Sequence, residues 1–346
     1  MLKRSRIEDV ALAAGVSTAT VSRALSRPER VSQKTREKVQ AQIEKLRYVP
    51  DAAGRALASG RTQTIGCVIP TLDLAIFAKS THAMQVSLAQ SGYQLLVASH
   101  NYDLAMEVDL VQALMHRGVD ALVLVGAEHQ AQVWRQIKSW NKPALLTWSC
   151  DDRLPSVGFD NQEIAALATR HLLELGHQHI GMISGHTQYN DRARQRQAGF
   201  LSQMKAQGMF SRPHWVCEQD LSISGGRQGL RQIWAQPTQP TALVCGNDLL
   251  AIGALLEAQE MGLNVPRDVS ICGVDNHELA GELRPGLTTV SLPTGDLGRI
   301  AAAQILRILE GQPVPQQSLL PFHLVRRDST DVPRPSQAPQ NDRAAK

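Results

Sequence analysis

From residue 7 to residue 46 the apolar positions recur at helical spacing. Ile7, Val10, Ala11 and Ala14 fall on one face, which predicts a short first helix. Gly15 ends it, because this turn needs a backbone conformation that only glycine adopts cheaply. Ser17 stands where a hydroxyl oxygen caps a second helix, accepting from the free N–H groups of its first turn. Along that helix Val21, Ala24 and Leu25 gather on one side, and Thr18, Ala19, Ser22 and Arg23 on the other. The inner set packs on the first helix. The outer set, small and polar with one Arg, suits the floor of a DNA major groove, so the pattern reads as a helix-turn-helix. Two antiparallel helices of an ordinary core give the same periodicity. Ser32 is placed to cap a third helix with Val39, Ile43 and Leu46 inside. Lys34, Arg36 and Lys38 lie near its start, where the helix dipole disfavours cations. Phosphate contact and a plain solvated face both account for them.

Tyr48-Val49-Pro50 breaks the third helix. Residues 51–59, DAAGRALAS, form at most one short helix capped by Asp51. Such a segment is too short to be helical alone in water, and Gly54 costs it about 1 kcal/mol relative to Ala. From residue 62 the period changes. The runs TIGCVIP, YQLLVAS, ALVLVG, ALLTWS, HIGMISG, ALVCG, VSICGVD and TTVSLP alternate with helical stretches. Their spacing, roughly 25–30 residues, is that of βαβ units with a buried parallel sheet. So many strands exceed one small sheet. The expected fold class is an α/β core of two doubly wound parallel-sheet subdomains with an N-terminal all-α helix-turn-helix headpiece.

Charge bears on the choice between core helices and a DNA reader. Residues 1–61 hold 13 Lys and Arg against 6 Asp and Glu, a surplus of seven positive charges. The whole chain carries only +4, so residues 62–346 carry −3. The basic charge is concentrated where the helix-turn-helix lies, as phosphate binding requires. With 43% apolar and 20% charged residues, the chain can bury a full core. No apolar run is long enough to span a membrane, and MLKRSRIEDV has no apolar segment of signal-peptide length. Cys67, Cys150, Cys217, Cys245 and Cys272 are scattered and odd in number, which fits reduced cytosolic thiols.

In doubly wound folds ligands sit at the carboxyl ends of the strands. There the apolar runs give way to Asp73 and Phe77, Trp148 and Asp152, Asp160, the arginines 192, 194 and 196, Asn247 with Asp248, and Asp275. Carboxylates, an amide and an Arg facing one cleft suit sugar hydroxyls, and an Arg fork adds capacity for a carboxylate. Each has a plainer reading too. Asp248, Asp160 and Asp275 stand where helix N-caps are expected, and Phe77 and Trp148 also fit a core. His177 and His179 sit two apart without further ligands at metal spacing, so no metal and no cofactor are expected. Phosphate-loop, GxSxG and HExxH motifs are absent from the sequence, and no catalytic residue is assigned.

AGVSTATVSRAL, followed by RVSQKTREKVQAQIEKLRYVPDAAGRALASGRTQTIGCVIP, resembles the amino-terminal signature of the lac repressor/galactose repressor (LacI/GalR) family, and the likeness runs through about residues 6–328. The resemblance implies a bacterial transcriptional repressor with a periplasmic-binding-protein-like core. Its expected divisions are a headpiece (1–50), a hinge helix (51–61), a core (62–329) and a disordered tail (330–346). Within the core, residues 62–160 and 291–321 would form one subdomain, and 161–290 and 322–329 the other. Thr18, Ala19, Ser22 and Arg23 would face bases, Thr20 a phosphate. Leu57, beside Arg55, would enter the minor groove as a wedge that bends the duplex, where the other reading is a linker with an incidental Leu. Asp51 and Gly54 stand where the family usually has Asn and Ala. Arg196 matches an Arg that clamps effector, and Asp160, Asn247 and Asp275 match effector-facing positions. Leu221 replaces the family's frequent aromatic platform, which speaks against simple stacking of a pyranose.

The expected protein is a cytoplasmic, nucleoid-associated homodimer that binds a palindromic operator under control of a sugar or sugar acid. The tail lacks leucine heptads of the kind that join dimers into tetramers. Two rivals share the two-lobed core. A transport binding protein would be exported and would lack the basic headpiece; a sugar enzyme would need a nucleophile–base pair.

Overall fold

The computed structural model describes residues 5–26, 28–49, 60–209 and 211–334. The chain forms two compact units: residues up to Thr64 with Arg117–Asp120, and Ile65–His116 with everything from Ala121 onward. In the first unit the helices α1 (Ile7–Ala14), α2 (Thr18–Ser26) and α3 (Gln33–Lys45) close on Val10, Ala11, Val21, Val39 and Ile43. Gly15 turns the chain with φ +68°, and the Val16 N–H reaches back to the Ala11 carbonyl at 3.0 Å. Ser17 Oγ accepts from the Thr20 N–H at 3.1 Å, and Ser32 Oγ from that of Thr35 at 3.4 Å, so both expected caps form. The Asp120 carboxylate accepts the Thr62 and Gln63 N–H groups at 3.0 and 2.8 Å and fixes the chain where the sheets begin.

The second unit contains two six-stranded sheets. The first holds β1 (Thr64–Ile69), β2 (Gln94–Ser99), β3 (Ala121–Val125), β4 (Ala144–Trp148), β5 (Ser156–Gly158) and the late β11 (Gln317–Leu319), ordered β2-β1-β3-β4-β5-β11. The second holds β6 (Ile180–Gly185), β7 (Val216–Gln219), β8 (Ala242–Cys245), β9 (Ser270–Asp275), β10 (Thr288–Ser291) and β12 (His323–Val325), ordered β7-β6-β8-β9-β10-β12. Their central ladders are parallel, and β12 runs antiparallel to β10. Around the first sheet lie α4 (Ala75–Gln90), α5 (Leu104–His116) and α6 (Ala131–Trp140). Around the second lie α7 (Asn161–Glu174), α8 (Asp191–Ala206), α9 (Ile223–Trp234) and α10 (Asp248–Glu260). The chain passes between the sheets three times: after β5, after β10 and after β11. On the second passage α11 (Thr294–Leu309) returns to α4. A Cβ at Gly298 would lie 2.0 Å from the Ser80 carbonyl oxygen, so only glycine permits this approach.

All eight apolar runs are strands. β7, β11 and β12 add to them as short flanking strands, and the three residues of β5 are the SVG before Phe159 and Asp160. The order within each sheet reverses beside its first strand, between β1 and β3 and between β6 and β8. Those are the switch points where ligand crevices open. The tail expected to be disordered from residue 330 holds a defined place as far as Arg334. His171 Nε2 lies 2.9 Å from the Thr330 hydroxyl, His177 Nε2 lies 2.8 Å from the Asp331 carbonyl, and Arg334 pairs with Asp268 at 2.8 Å. Polar partners on α7 and on the loops before β6 and β9 hold these residues where composition alone suggested none.

Candidate functional site

A cavity lies at the carboxyl ends of both sheets. From the first sheet come Phe77, one turn into α4, Tyr102 beyond β2 and Trp148 at the end of β4. From the second come Arg192 and Arg196 of α8, Asn247 after β8 and Asp275 at the end of β9. Gly185 and Gly246 line it at the switch point itself. Trp148, Tyr102 and Asp275 have φ of +73°, +63° and +113°, a region that side chains other than glycine enter at a cost. Strain of this kind collects where a fold positions a ligand.

One polar wall is built on Arg196, which is 7% exposed. Its Nε donates to Asn161 Oδ1 at 3.2 Å and its Nη1 to the Gly246 carbonyl at 2.7 Å. Asn161 in turn donates to the Trp148 carbonyl at 3.1 Å, so one amide ties the guanidinium to the aromatic wall. Asp275 Oδ1 lies 3.9 Å from Arg196 Nη1, is fully buried and has no hydrogen-bond partner among the described residues. Burial pushes the Asp275 carboxyl up to about 7, against the pull of Arg196. Behind it Asp248 is pushed up to about 8 by burial and by Asp275. Asp248 accepts from the His277 N–H and the Thr289 hydroxyl, each at 2.6 Å. Burial lowers the pKa of Arg196, and Asp275 opposes that shift. An orphaned buried acceptor beside a buried guanidinium fits a ligand that brings hydroxyl groups.

The other polar wall is Arg192, whose Nη1 donates to Asp191 Oδ1 at 2.8 Å. Burial acts to raise the pKa of Asp191, but Arg192, the Ala127 N–H and other neighbours outweigh it and hold the carboxyl below its usual value. Burial raises the pKa of the Tyr102 phenol, against Arg192, which pulls it down by charge and hydrogen bond. The apolar wall is Phe77 set edge-on to Trp148, ring centroids 4.9 Å apart, with Leu221 opposite beside Gly185.

Of the residues expected to face a ligand, Phe77, Trp148, Arg196, Leu221, Asn247 and Asp275 meet here. Asp73 is exposed on the loop before α4 and does not line the cavity. Asp160 is exposed and caps α7 by accepting from the Glu163 N–H at 3.0 Å; the next residue, Asn161, turns inward instead. Arg194 lies outside the lining and pairs with Glu128 at 2.8 Å. The cap of α10 is Asn247, not Asp248. Tyr102 and Asn190 went unnoticed in the sequence, and Arg192 was marked only as one of three arginines. His177 faces Thr241, Ser270 and the Asp331 carbonyl, a hydrogen-bonding role within the second sheet.

On the first unit Thr18, Ala19 and Arg23 are exposed, Thr20 and Ser22 half-buried, and Val21 fully buried. The outer face of α2 is therefore the polar one. Arg55 and Leu57 lie outside the described residues.

A basic helix-turn-helix in one chain with a two-sheet core and a polar cavity at its switch points defines a ligand-responsive DNA-binding regulator. Residues 6–51 match the bacterial regulatory proteins of the lacI family, and residues 169–330 the periplasmic binding protein-like domain. The HTH-type transcriptional repressor CytR of Escherichia coli (strain K12) is 32% identical over 330 residues, covering 94% of this chain and 96% of CytR. The HTH-type transcriptional repressor PurR of Escherichia coli O139:H28 is 33% identical over 334 residues, covering 94% and 97%. The lac repressor dimer bound to operator and the anti-inducer ONPF superposes with a TM-score of 0.86 at 30% identity, covering 95% of this chain and all of that one. A CelR–cellobiose complex, 26% identical, gives 0.71 over 94% of this chain and 100% of that one. The chain belongs to the LacI family of bacterial regulatory proteins and is a DNA-binding transcription regulator of the helix-turn-helix type.

Proposed function

We propose that this regulator is a repressor that works as a homodimer on a palindromic operator and is controlled by a sugar or sugar acid bound in the cavity. The observation that carries the effector reading is the unpartnered Asp275 Oδ1 beside Arg196, buried at the switch points of both sheets. Hydroxyl groups of a sugar satisfy that acceptor, and the guanidiniums of Arg192 and Arg196 receive ring oxygens or a carboxylate. The ligand of a related structure, cellobiose in the CelR complex, supports a carbohydrate. Asn247, with Oδ1 occupied by the Leu250 N–H at 2.9 Å, offers its amide hydrogens. Asp73 and Asp160 take no part in this pocket.

In the headpiece Thr18, Ala19 and Ser22 face bases, Arg23 supplies a guanine contact and Thr20 a phosphate contact. Arg55 and Leu57 serve at the minor groove. Two headpieces read half-sites one helical turn apart. A second copy covers the groove on the second lobe, where Leu255, Leu256, Leu263, Val265 and Leu283 lie among the polar Gln259, Glu282 and Arg284, with Leu256 and nearby Met261 and Leu279 about 40% exposed. The setting is the bacterial cytoplasm, at the nucleoid, and no bond-making step is assigned. Among the described residues no helix is long and apolar enough to cross a membrane.

The test is a thermal-shift screen of the full chain against sugars and sugar acids. A true effector at 100 times its dissociation constant adds about 2.7 kcal/mol. Arg196→Ala should abolish that shift and the operator response while leaving operator affinity in the absence of ligand within about threefold, since Arg196 belongs to the second unit and the helix-turn-helix to the first. A full response in the variant would remove the cavity from the account.

A further inference from the structure

The loop after β3, residues 126–130, belongs to the first sheet, and the first turn of α8 belongs to the second. They meet at the rim of the cavity. Asp191 Oδ2 accepts from the Ala127 N–H at 3.0 Å, while Oδ1 of the same carboxylate holds Arg192 Nη1 at 2.8 Å. Both side chains are under 10% exposed. One turn on, Arg194 Nη2 reaches Glu128 at 2.8 Å. Arg192 lies so close over Gly126 that a Cβ there would be 2.3 Å from its Nη1. The loop is also pinned to its own lobe. His129 Nδ1 lies 2.8 Å from the buried Glu107 carboxylate, and its Nε2 lies 3.2 Å from the Gly126 carbonyl. Arg153 donates to the Ala127 carbonyl at 2.9 Å. The loop is thus held on its own side by Glu107 and Arg153 and on the far side by Asp191 and Arg194.

We propose that Asp191 is a positioning residue that latches the two lobes of the core to each other, and that the same carboxylate fixes Arg192 in the cavity wall. A single short side chain from the second lobe satisfies a backbone donor of the first and a ligand-facing cation of its own lobe. Withdrawal of the first lobe breaks the Ala127 bond and leaves that donor without a partner at the rim. Opening of the cleft therefore requires the Asp191–Ala127 bond to break. The value of the latch for control rests on the reading of the cavity as an effector site. The latch itself is tested with no ligand present, so its failure and the failure of that reading are separate results.

The experiment is residue-resolved amide hydrogen exchange on the full chain without added ligand. Asp191→Ala should speed exchange of the Ala127 amide by about tenfold or more, while Leu122 and Leu146, inside β3 and β4, keep the parent's rates. Asp191→Asn, which keeps an acceptor oxygen but not the charge, should hold Ala127 within about threefold of the parent. If alanine loosens the whole core, seen as faster exchange at Leu122 and Leu146 too, Asp191→Ser takes its place: it is polar but too short to reach Ala127, and the same tenfold change is expected. An unchanged Ala127 rate in the alanine or serine variant would overturn the proposal, as would an asparagine variant exchanging as fast as alanine.

Discussion

Asp275 combines three costs at one position: a φ of +113°, near-complete burial and an acceptor oxygen without a partner. Its backbone is held by Asn276, whose N–H lies 3.3 Å from the Thr289 hydroxyl and whose side chain meets Ser291 and Arg327. The cost has a pH signature. Burial raises the folded-state pKa of Asp275 to about 7 and of Asp248 to about 8, well above unfolded values. Between pH 4 and these values the folded chain holds protons that the unfolded chain has released, so these two groups make stability fall as pH rises. Burial lowers the pKa of His171 and His177, which acts in the opposite sense: their contribution is lost as pH falls below the ordinary histidine range. From pH 6.5 to about 7.5 the aspartates set the slope; above that, burial raises the pKa of Cys67, Cys217, Cys245 and Cys272, and these thiols add to the fall. Asp275→Asn should flatten it and leave the variant more stable than the parent at pH 8.5 by about 1 kcal/mol or more, read by denaturant melts at several pH values. Parallel curves for parent and variant would show that Asp275 is solvated in the folded chain.

At the scale of elements, the turn between α1 and α2 was legible because each step has a local cause. Gly15 supplies the left-handed residue, Ser17 the cap, and Val21 the inward face. Ser17→Ala should cost the headpiece about 1 kcal/mol, seen as earlier unfolding of the first unit in a melt of the full chain followed by exchange at Val21. No change at Val21 would mean that packing on α1 alone sets the turn. The strands were legible for the same kind of reason: buried parallel strands are apolar almost throughout, as β3 is at every position and β4 at all but Thr147. β11 and β12 escaped notice because they are three residues long and partly exposed, so no continuous apolar run marks them. The cavity was read in part. Strand ends mark Trp148, Asn247 and Asp275, but Tyr102 reaches the site through two residues of positive φ, Asn101 and Tyr102, which no periodicity foretells. In the stretch Phe159-Asp160-Asn161 the pattern favoured the carboxylate. The helix takes it as a cap, and one residue further round Asn161 faces inward to Arg196. Neighbouring side chains at a helix start diverge by a large angle, and the sequence alone does not say which is the cap.

For the whole molecule, charge and cavity belong to different parts of the chain. Residues 1–61 carry a surplus of seven positive charges, whereas the remainder is net negative. A basic reader and a weakly acidic sensor repel duplex DNA only at the sensor, so phosphate attraction is directed to the headpiece. The central claim is that the helix-turn-helix holds a defined duplex site and that the ligand in the cavity decides how firmly. The most direct measurement is the affinity of the full chain for an operator recovered by selection from random duplexes, taken across salt concentrations with and without the sugar or sugar acid found by thermal shift. Expected are a linear fall of log affinity with log salt, a preference over random duplex of about a thousandfold or more, and a change of about tenfold or more on adding the ligand. An affinity that ignores salt and sequence, or an operator affinity that no bound ligand alters, would contradict the claim.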